Sequence, residues 1–398
     1  MRLSDRTRLV KPSATLAVTT EVARLRSTGV EVIDFGAGEP DFDTPQRIKD
    51  AATRALAAGA TKYTPVVGTK QVREAVVAKL KRVNDLDYAV EETMVSCGGK
   101  HALYNAFQAL FGDGDEVVLP APFWVSYADM LVLAGAKPKI VHAPASQGFK
   151  LTAQQLADAL DARSRGVILN SPSNPTGAAY TQSELQGLAE VLVAYPDVAI
   201  VVDDVYEMLY FAGPRPAHLL KLAPELRDRT VIVNSVSKTY AMTGWRLGYT
   251  AAPVAAIKAM GTIQGQSTSN PTSIAQAAAA EALAGPQDEL PPMVEEFRWR
   301  RDYVLDRFRR LDGVDCVEPE GAFYAFPDVS ALFARVWRDR PLGDASGVCE
   351  FLLAEARVAL VAGDDFAAPH HIRMSYATSR DNLSRGFDAI ERALATLR

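Results

Sequence analysis

The chain has 398 residues, 48% hydrophobic and 23% charged, with 43 Lys+Arg against 48 Asp+Glu for a formal charge of −5. This composition excludes a disordered chain or a disulfide scaffold, and at about 100–200 residues per domain it allows two domains with ordinary cores. The acidic balance excludes a nucleic-acid groove or an anionic membrane surface as the main partner, because both require a basic field.

The first 45 residues contain prolines, one helix and one short strand, Val32–Phe35, and are expected to form an arm packed on the C-terminal domain. From about Thr93 to Thr250, short β-branched apolar runs alternate with amphipathic stretches. The predicted strands are Met94–Ser96, Glu116–Leu119, Pro138–His142, Gly166–Asn170, Val198–Asp203, Thr230–Asn234 and Leu247–Ala251. The predicted helices between them are Gly99–Phe111, Val125–Leu133, Ala153–Leu160 and Gln182–Ala194. Strands apolar on both faces and separated by helices imply an α/β fold, a mostly parallel seven-stranded sheet covered on both sides.

This large domain is expected over residues 46–288. Beyond Ala252 come an Ala-rich helix, Ile274–Leu283, breaks at Gly285-Pro286 and Pro291-Pro292, and a charged helix, Glu295–Leu311, whose arginines suit a solvated face. Residues 289–398 are expected to form a smaller α+β domain. Its predicted strands are Ala322–Phe326, Val358–Val361 and Ile372–Tyr376, and its predicted helices Gly347–Ala356 and Arg380–Leu397. Cys97, Cys316 and Cys349 are odd in number and far apart, which fits buried thiols in a reducing compartment. No apolar signal region follows Met1 and no uncharged run approaches the ~18 residues of a membrane span, so a cytoplasmic location is expected.

Several chemistries are excluded by their missing motifs. Gly99-Lys100 is followed by His101 rather than Ser or Thr, so no Walker A loop forms, and Gly36-Ala37-Gly38 lacks the third glycine of a dinucleotide fingerprint. The five histidines make no H-E-x-x-H, no Cys/His pair has zinc spacing, and no G-x-S-x-G elbow occurs; no metal is expected.

What remains is a set of strand ends. Lys238 lies just after a strand within Ser235-Val236-Ser237-Lys238-Thr239, where an open α/β sheet has its crevice; the competing reading is a solvated loop lysine. Val201-Val202-Asp203-Asp204-Val205-Tyr206 ends an apolar strand in a carboxylate, and Asn170-Ser171-Pro172-Ser173-Asn174-Pro175 makes a rigid, amide-bearing turn. Ser96-Cys97-Gly98-Gly99-Lys100 runs through two glycines into a helix N-terminus, a natural seat for phosphate. A lysine, a carboxylate, an amide, a phosphate nest and a basic clamp together describe a site for pyridoxal 5'-phosphate.

With these motifs the sequence resembles the class I aminotransferases of fold type I, nearest to the bacterial aspartate aminotransferases. The resemblance runs from Lys11-Pro12-Ser13 and Gly38-Glu39-Pro40-Asp41-Phe42 to Arg373-Met374-Ser375-Tyr376-Ala377. It implies that Lys238 is the Schiff-base lysine and the base for proton transfer, and that Asp203 is the partner of the pyridinium nitrogen, the alternative being a turn aspartate. Tyr206 and Asn174 match the pair that bonds the cofactor's 3'-oxygen, though either could be a packing residue. Gly99 and Lys100 would offer backbone N–H groups to the phosphate, with Ser235, Ser237 and Arg246 supplying hydroxyls and a cation. Tyr63 resembles a tyrosine that reaches the phosphate across a dimer interface, implying a homodimer with shared sites. Trp124 matches the aromatic stacked on the ring, against the reading of a core tryptophan.

For the substrate, the resemblance assigns Arg373 as the fork that clamps the α-carboxylate, Gly38 as a backbone contact to it, and Trp124 and Asn174 as further contacts. Lys11, with Thr15 one turn on, is the candidate for a distal carboxylate, with a solvent-facing arm lysine as the alternative. Gln108 stands where some relatives have lysine. The expected reaction is ping-pong transfer of the amino group of an L-amino acid, foremost L-aspartate, to 2-oxoglutarate. The alternatives are an aminotransferase for aromatic, prephenate or broad-range neutral substrates, a lyase on the same cofactor, or a non-catalytic effector module attached to a DNA-binding segment.

Overall fold

In the computed structural model, which describes every residue except Lys11 and Ser13, the chain opens with helix α1 (Ala14–Ser27) and a two-residue strand β1 (Ile33–Asp34). Helices α2 (Gln46–Ala57) and α3 (Lys70–Lys79) follow. Seven strands then build one sheet: β2 (Thr93–Ser96), β3 (Glu116–Ala121), β4 (Lys137–His142), β5 (Ser164–Asn170), β6 (Ala199–Asp203), β7 (Thr230–Ser235) and β8 (Gly248–Ala251). Their order is β2-β8-β7-β6-β5-β3-β4. All neighbouring pairs are parallel except those made by β8, which runs antiparallel to β2 and β7. The structure thus has the expected mostly parallel sheet, with strand boundaries displaced by only a residue or two.

The reason for the apolar runs is visible in β6. Ile200 and Val202 enter one core cluster while Val201 enters another. Alternate side chains therefore meet helices on opposite faces, and neither face can be polar. Helices α4 (Gly99–Leu110), α5 (Ser126–Leu133), α6 (Ala153–Ala159), α7 (Gln182–Val193) and the short α8 (Leu219–Leu222) supply that cover along the crossovers. Thr152 and Thr181 start α6 and α7 with capping boxes completed by Gln155 and Glu184, satisfying N–H groups the helix cannot.

The C-terminal part contains α9 (Val254–Gly265), α10 (Ser273–Ala284), α11 (Leu290–Phe308), β9 (Tyr324–Ala325), β10 (Val336–Trp337), β11 (Arg340–Pro341), α12 (Ala345–Phe351), β12 (Val358–Ala359), β13 (Val361–Ala362), β14 (Ile372–Ser375) and α13 (Arg380–Leu394). Strands β13, β14 and β9 form an antiparallel sheet, and β1 pairs in parallel with β12 through Ile33 with Val358 and Asp34 with Ala359. The two ends of the chain are thereby joined. No helix among the described residues is long and apolar enough to cross a membrane.

Three details correct the sequence reading. Pro291 and Pro292 do not interrupt a helix but lie in the first turn of α11, where backbone N–H groups lack intrahelical partners and proline costs nothing in hydrogen bonds. The arginines of that helix are not all solvated: Arg300, Arg301 and Arg307 are buried, paired with Asp41 and Glu296, with Asp302, and with Asp388 and Glu391 respectively. The predicted strand Val358–Val361 is two strands, since β12 pairs with β1 and β13 with β14.

Candidate active site

The parallel strands β5, β6 and β7 end side by side, placing Asn170, Asp203 and Ser235 along one edge of the sheet, with Asn170 and Asp203 in register. This is the edge at which open α/β sheets form their crevices. A cavity of about 240 Å³ lies there. It gathers Lys238, Asp203, Tyr206, Asn174, Trp124, Gly99, Lys100, Ser235, Ser237, Arg246, Gly38 and Arg373.

At its floor, Asp203 is 4% exposed. The Tyr127 hydroxyl donates to Oδ2 at 2.5 Å, the Val205 N–H donates to Oδ1 at 3.2 Å, and the Asn170 amide donates to the Asp203 carbonyl at 2.9 Å. Burial pushes the carboxyl up to about 6, against the lowering pull of the two donors. Asp204, the next residue, lines a different cavity, with His218 Nε2 3.2 Å from its Oδ2. Strand alternation thus gives one of the two adjacent carboxylates to the site and withholds the other.

Lys238 follows the end of β7 by three residues, in a turn held by the Ser237 N–H donating to Ser235 Oγ at 3.1 Å and the Met242 N–H donating to the Ser237 carbonyl at 3.0 Å. Its Nζ donates to the carbonyl of Gly38. Burial lowers the ammonium to about 8; the Arg373 and Arg246 charges pull the same way and Glu39 opposes them. Such an amine is neutral often enough near physiological pH to act as nucleophile or base.

Across the cavity the chain makes an anion seat. A Cβ on Gly98, at φ +94, would fall 2.4 Å from Arg246 Nη2, and one on Gly248 would fall 2.4 Å from the Gly99 nitrogen. Only glycine permits β2, β8 and the start of α4 to close this tightly. The N–H groups of His101 and Ala102 both bond the Gly98 carbonyl, so those of Gly99 and Lys100 lie at the very N-terminus of α4. Arg246 is held by Nη1 donating to the Thr243 carbonyl at 2.7 Å. Trp124 stands edge-on to Tyr127 with centroids 5.3 Å apart, and Lys100 Nζ lies 5.0 Å from the Trp124 ring.

Arg373, on β14, is 1% exposed. It donates through Nη1 to Asn174 Oδ1 at 3.0 Å and through Nη2 to the Gly36 carbonyl at 2.8 Å, while its buried Nε has no hydrogen-bond partner among the described residues. Tyr206 and Tyr324 share a hydroxyl–hydroxyl bond of 2.8 Å, and the Arg373 guanidinium lies 4.7 Å from the Tyr324 ring. A buried guanidinium with spare donor capacity beside a cavity is suited to a planar carboxylate.

Two predicted residues stand apart. Tyr63 is 91% exposed and does not line the cavity, and Lys11 lies outside the described residues. Thr15 does line it. Sequence reasoning missed Tyr127, Tyr324 and Asn170 as wall residues. Asn170 could have been found, since it ends an apolar strand as Asp203 does. Tyr127, three residues after Trp124, and Tyr324, brought from the far end of the chain, had no comparable signal.

A family model described as aminotransferase class I and II matches residues 30–390. An aspartate/prephenate aminotransferase of Cereibacter sphaeroides is 48% identical over 396 residues, covering 99% of each chain. Another from Nitrosomonas europaea is 45% identical over 399 residues, covering 100% of each. Among solved structures, an aspartate aminotransferase from Rhizobium meliloti superposes with a TM-score of 0.96 at 42% identity, covering 100% of both chains.

Proposed function

The chain belongs to the class I and II aminotransferases and is an enzyme that uses pyridoxal 5'-phosphate, and from that premise we propose that it moves the amino group of L-aspartate to 2-oxoglutarate. Prephenate is proposed as a second oxo-acid acceptor, because relatives that match end to end carry the name aspartate/prephenate aminotransferase. The observation that carries the reading is the cavity in which Lys238, Asp203 and Arg373 converge. The residues fit the cofactor: an amine of lowered basicity, a buried carboxylate, and an anion seat that a Cβ on Gly98 would fill.

When bound, the cofactor supplies a carbonyl to receive the amino group and an electron-withdrawing ring that eases loss of the substrate's α-proton. Lys238 would hold its carbonyl and, once released, carry the proton from the substrate α-carbon. Asp203 would pair with the ring nitrogen, kept in place by Tyr127 and Val205. Asn174 and Tyr206 would bond the ring hydroxyl and Trp124 would cover the ring. Gly99, Lys100, Ser235, Ser237 and Arg246 would hold the phosphate, and Arg373, with Gly38, the substrate α-carboxylate.

The exposed Tyr63 is proposed to complete the phosphate seat of a second copy, which makes the working unit a homodimer, acting in the cytoplasm. Lys11 is proposed to meet the distal carboxylate. A donor panel with 2-oxoglutarate as acceptor tests the specificity. Aspartate should exceed alanine and phenylalanine in kcat/KM, and Lys11→Ala should erase that preference; equal use of neutral donors by the unaltered enzyme would refute the dicarboxylate reading. Borohydride reduction and peptide mapping should place the cofactor on Lys238 alone.

A further inference from the structure

Asp41 and Tyr376 stand in symmetrical places: Asp41 is three residues beyond Gly38, and Tyr376 three residues beyond Arg373. Both meet one side chain. Arg300, 5% exposed on α11, donates through Nη1 to Asp41 Oδ1 at 2.6 Å and through Nη2 to Asp41 Oδ2 at 3.1 Å, a bidentate pair. Its Nη1 also reaches the Tyr376 carbonyl at 3.5 Å, and its Nε donates to Glu296 Oε1 at 2.9 Å. The guanidinium lies 5.2 Å from the Phe42 ring and 5.5 Å from that of Phe297, which themselves pack edge to face. Arg380 closes the network on Glu296 at 2.6 Å. Neither Asp41 nor Arg300 lines the cavity.

We propose that Arg300 is a positioning residue, clamping the Gly38 segment and the Arg373 strand to α11 so that the two contacts to the substrate α-carboxylate hold a fixed spacing. The inference rests on the assignment of Gly38 and Arg373 to that carboxylate. Ion pairs at a surface contribute little, but a pair whose arginine side chain is 6% exposed and bidentate fixes direction as well as distance. The α-carboxylate is common to every amino acid and oxo acid, so misplacing its site affects donor and acceptor alike. A distal-carboxylate contact would affect dicarboxylates alone.

The test uses the holoenzyme with Asp41→Asn, which keeps the side chain's shape, and Arg300→Lys, which keeps charge but loses the fork. KM for aspartate, for alanine, which has no distal carboxylate, and for 2-oxoglutarate should rise together by about tenfold, as should the dissociation constant of maleate, a dicarboxylate that cannot react, with kcat within about twofold. The cofactor dissociation constant should stay unchanged, and the double variant should be no worse than the poorer single. Unchanged KM and maleate binding, or cofactor affinity that falls in step with them, would overturn the clamp. Arg373→Lys serves as the reference. If it weakens maleate and the clamp variants do not, positioning by Arg300 is wrong; if it leaves maleate binding intact, the carboxylate assignment is what fails.

Discussion

The Tyr127 hydroxyl reaches Asp203 Oδ2 from α5 at 2.5 Å, so the carboxylate at the floor of the site is oriented by a residue outside its own strand. Only the ionised carboxylate accepts that proton well, which makes the contact an electrostatic control as well as a mechanical one.

For Asp203 the pH dependence follows directly. Its carboxyl lies at about 6 in the folded chain, above the ~3.9 of an unfolded aspartate. Between about pH 4 and 6 the folded state binds more protons, so apoprotein stability falls as pH rises through that window. Tyr127→Phe removes a donor to the anion and should carry the carboxyl up by a further ~1 unit or more. Unfolding midpoints of the apoprotein, each referenced to Asp203→Asn, should keep falling past pH 7 in the variant and level off near 6 in the parent. Superimposable curves would contradict this.

Lys238 behaves in the opposite sense. Its ammonium is lowered from 10.5 to about 8, so the folded chain binds fewer protons than the unfolded one between those values. The cost of burying the charge is present in full below pH 8 and is relieved as pH rises to about 10.5. Apoprotein carrying Lys238→Met should therefore be more stable than the parent at pH 7, by a margin that shrinks toward pH 10.5. Denaturant melts at the two pH values decide it.

Gly98→Ala should damage the anion seat. At φ +94 and ψ 163 a side chain is strained by ~1–3 kcal/mol, and its Cβ would displace the Arg246 guanidinium. A lower melting temperature should accompany a weaker affinity for inorganic phosphate in the apoprotein. Retained phosphate binding would show that Arg246 has another place to go.

A buried relay supports the same seat from behind. Lys79 donates to Glu207 Oε1, which also accepts from Asn234 Nδ2 at 2.6 Å, while Asn234 Oδ1 accepts the Ser235 N–H at 2.7 Å. The lysine and glutamate side chains are 4% and 8% exposed. Lys79→Met alone should cost up to about 3–5 kcal/mol by taking the nearer cation from a buried carboxylate that keeps only Arg215 Nη1, at 3.6 Å from Oε2, and Lys79→Met with Glu207→Leu should recover much of it. Chemical denaturation of the three variants separates these outcomes.

The sheet was legible because several strands are apolar on both faces, a pattern surface strands do not show; β4, at the sheet edge with Lys137, Lys139 and His142, is the exception. Asp203 and Lys238 were legible because polar residues closing such strands have few places to go but the crevice. The relation between Arg373 and Asn174 was not, since 199 positions separate them and no periodicity links the two. The burial of Arg300 was hidden for a similar reason. An arginine on a charged helix reads as solvated until its distant partner, Asp41, 259 positions away, is known. Pro291-Pro292 misled because the same residues that end one helix are welcome at the start of another.

The pairing of β1 with β12 also sets an order of events during synthesis. Residues 98–246, which frame the anion seat, the carboxylate and the lysine, all leave the ribosome before β12 exists. Gly36, which accepts the Arg373 guanidinium, must wait for a partner 337 positions downstream. At about 5–20 residues per second that wait is about 20–70 s. The nascent chain can therefore assemble the sheet-edge half of the site well before the half that β14 completes.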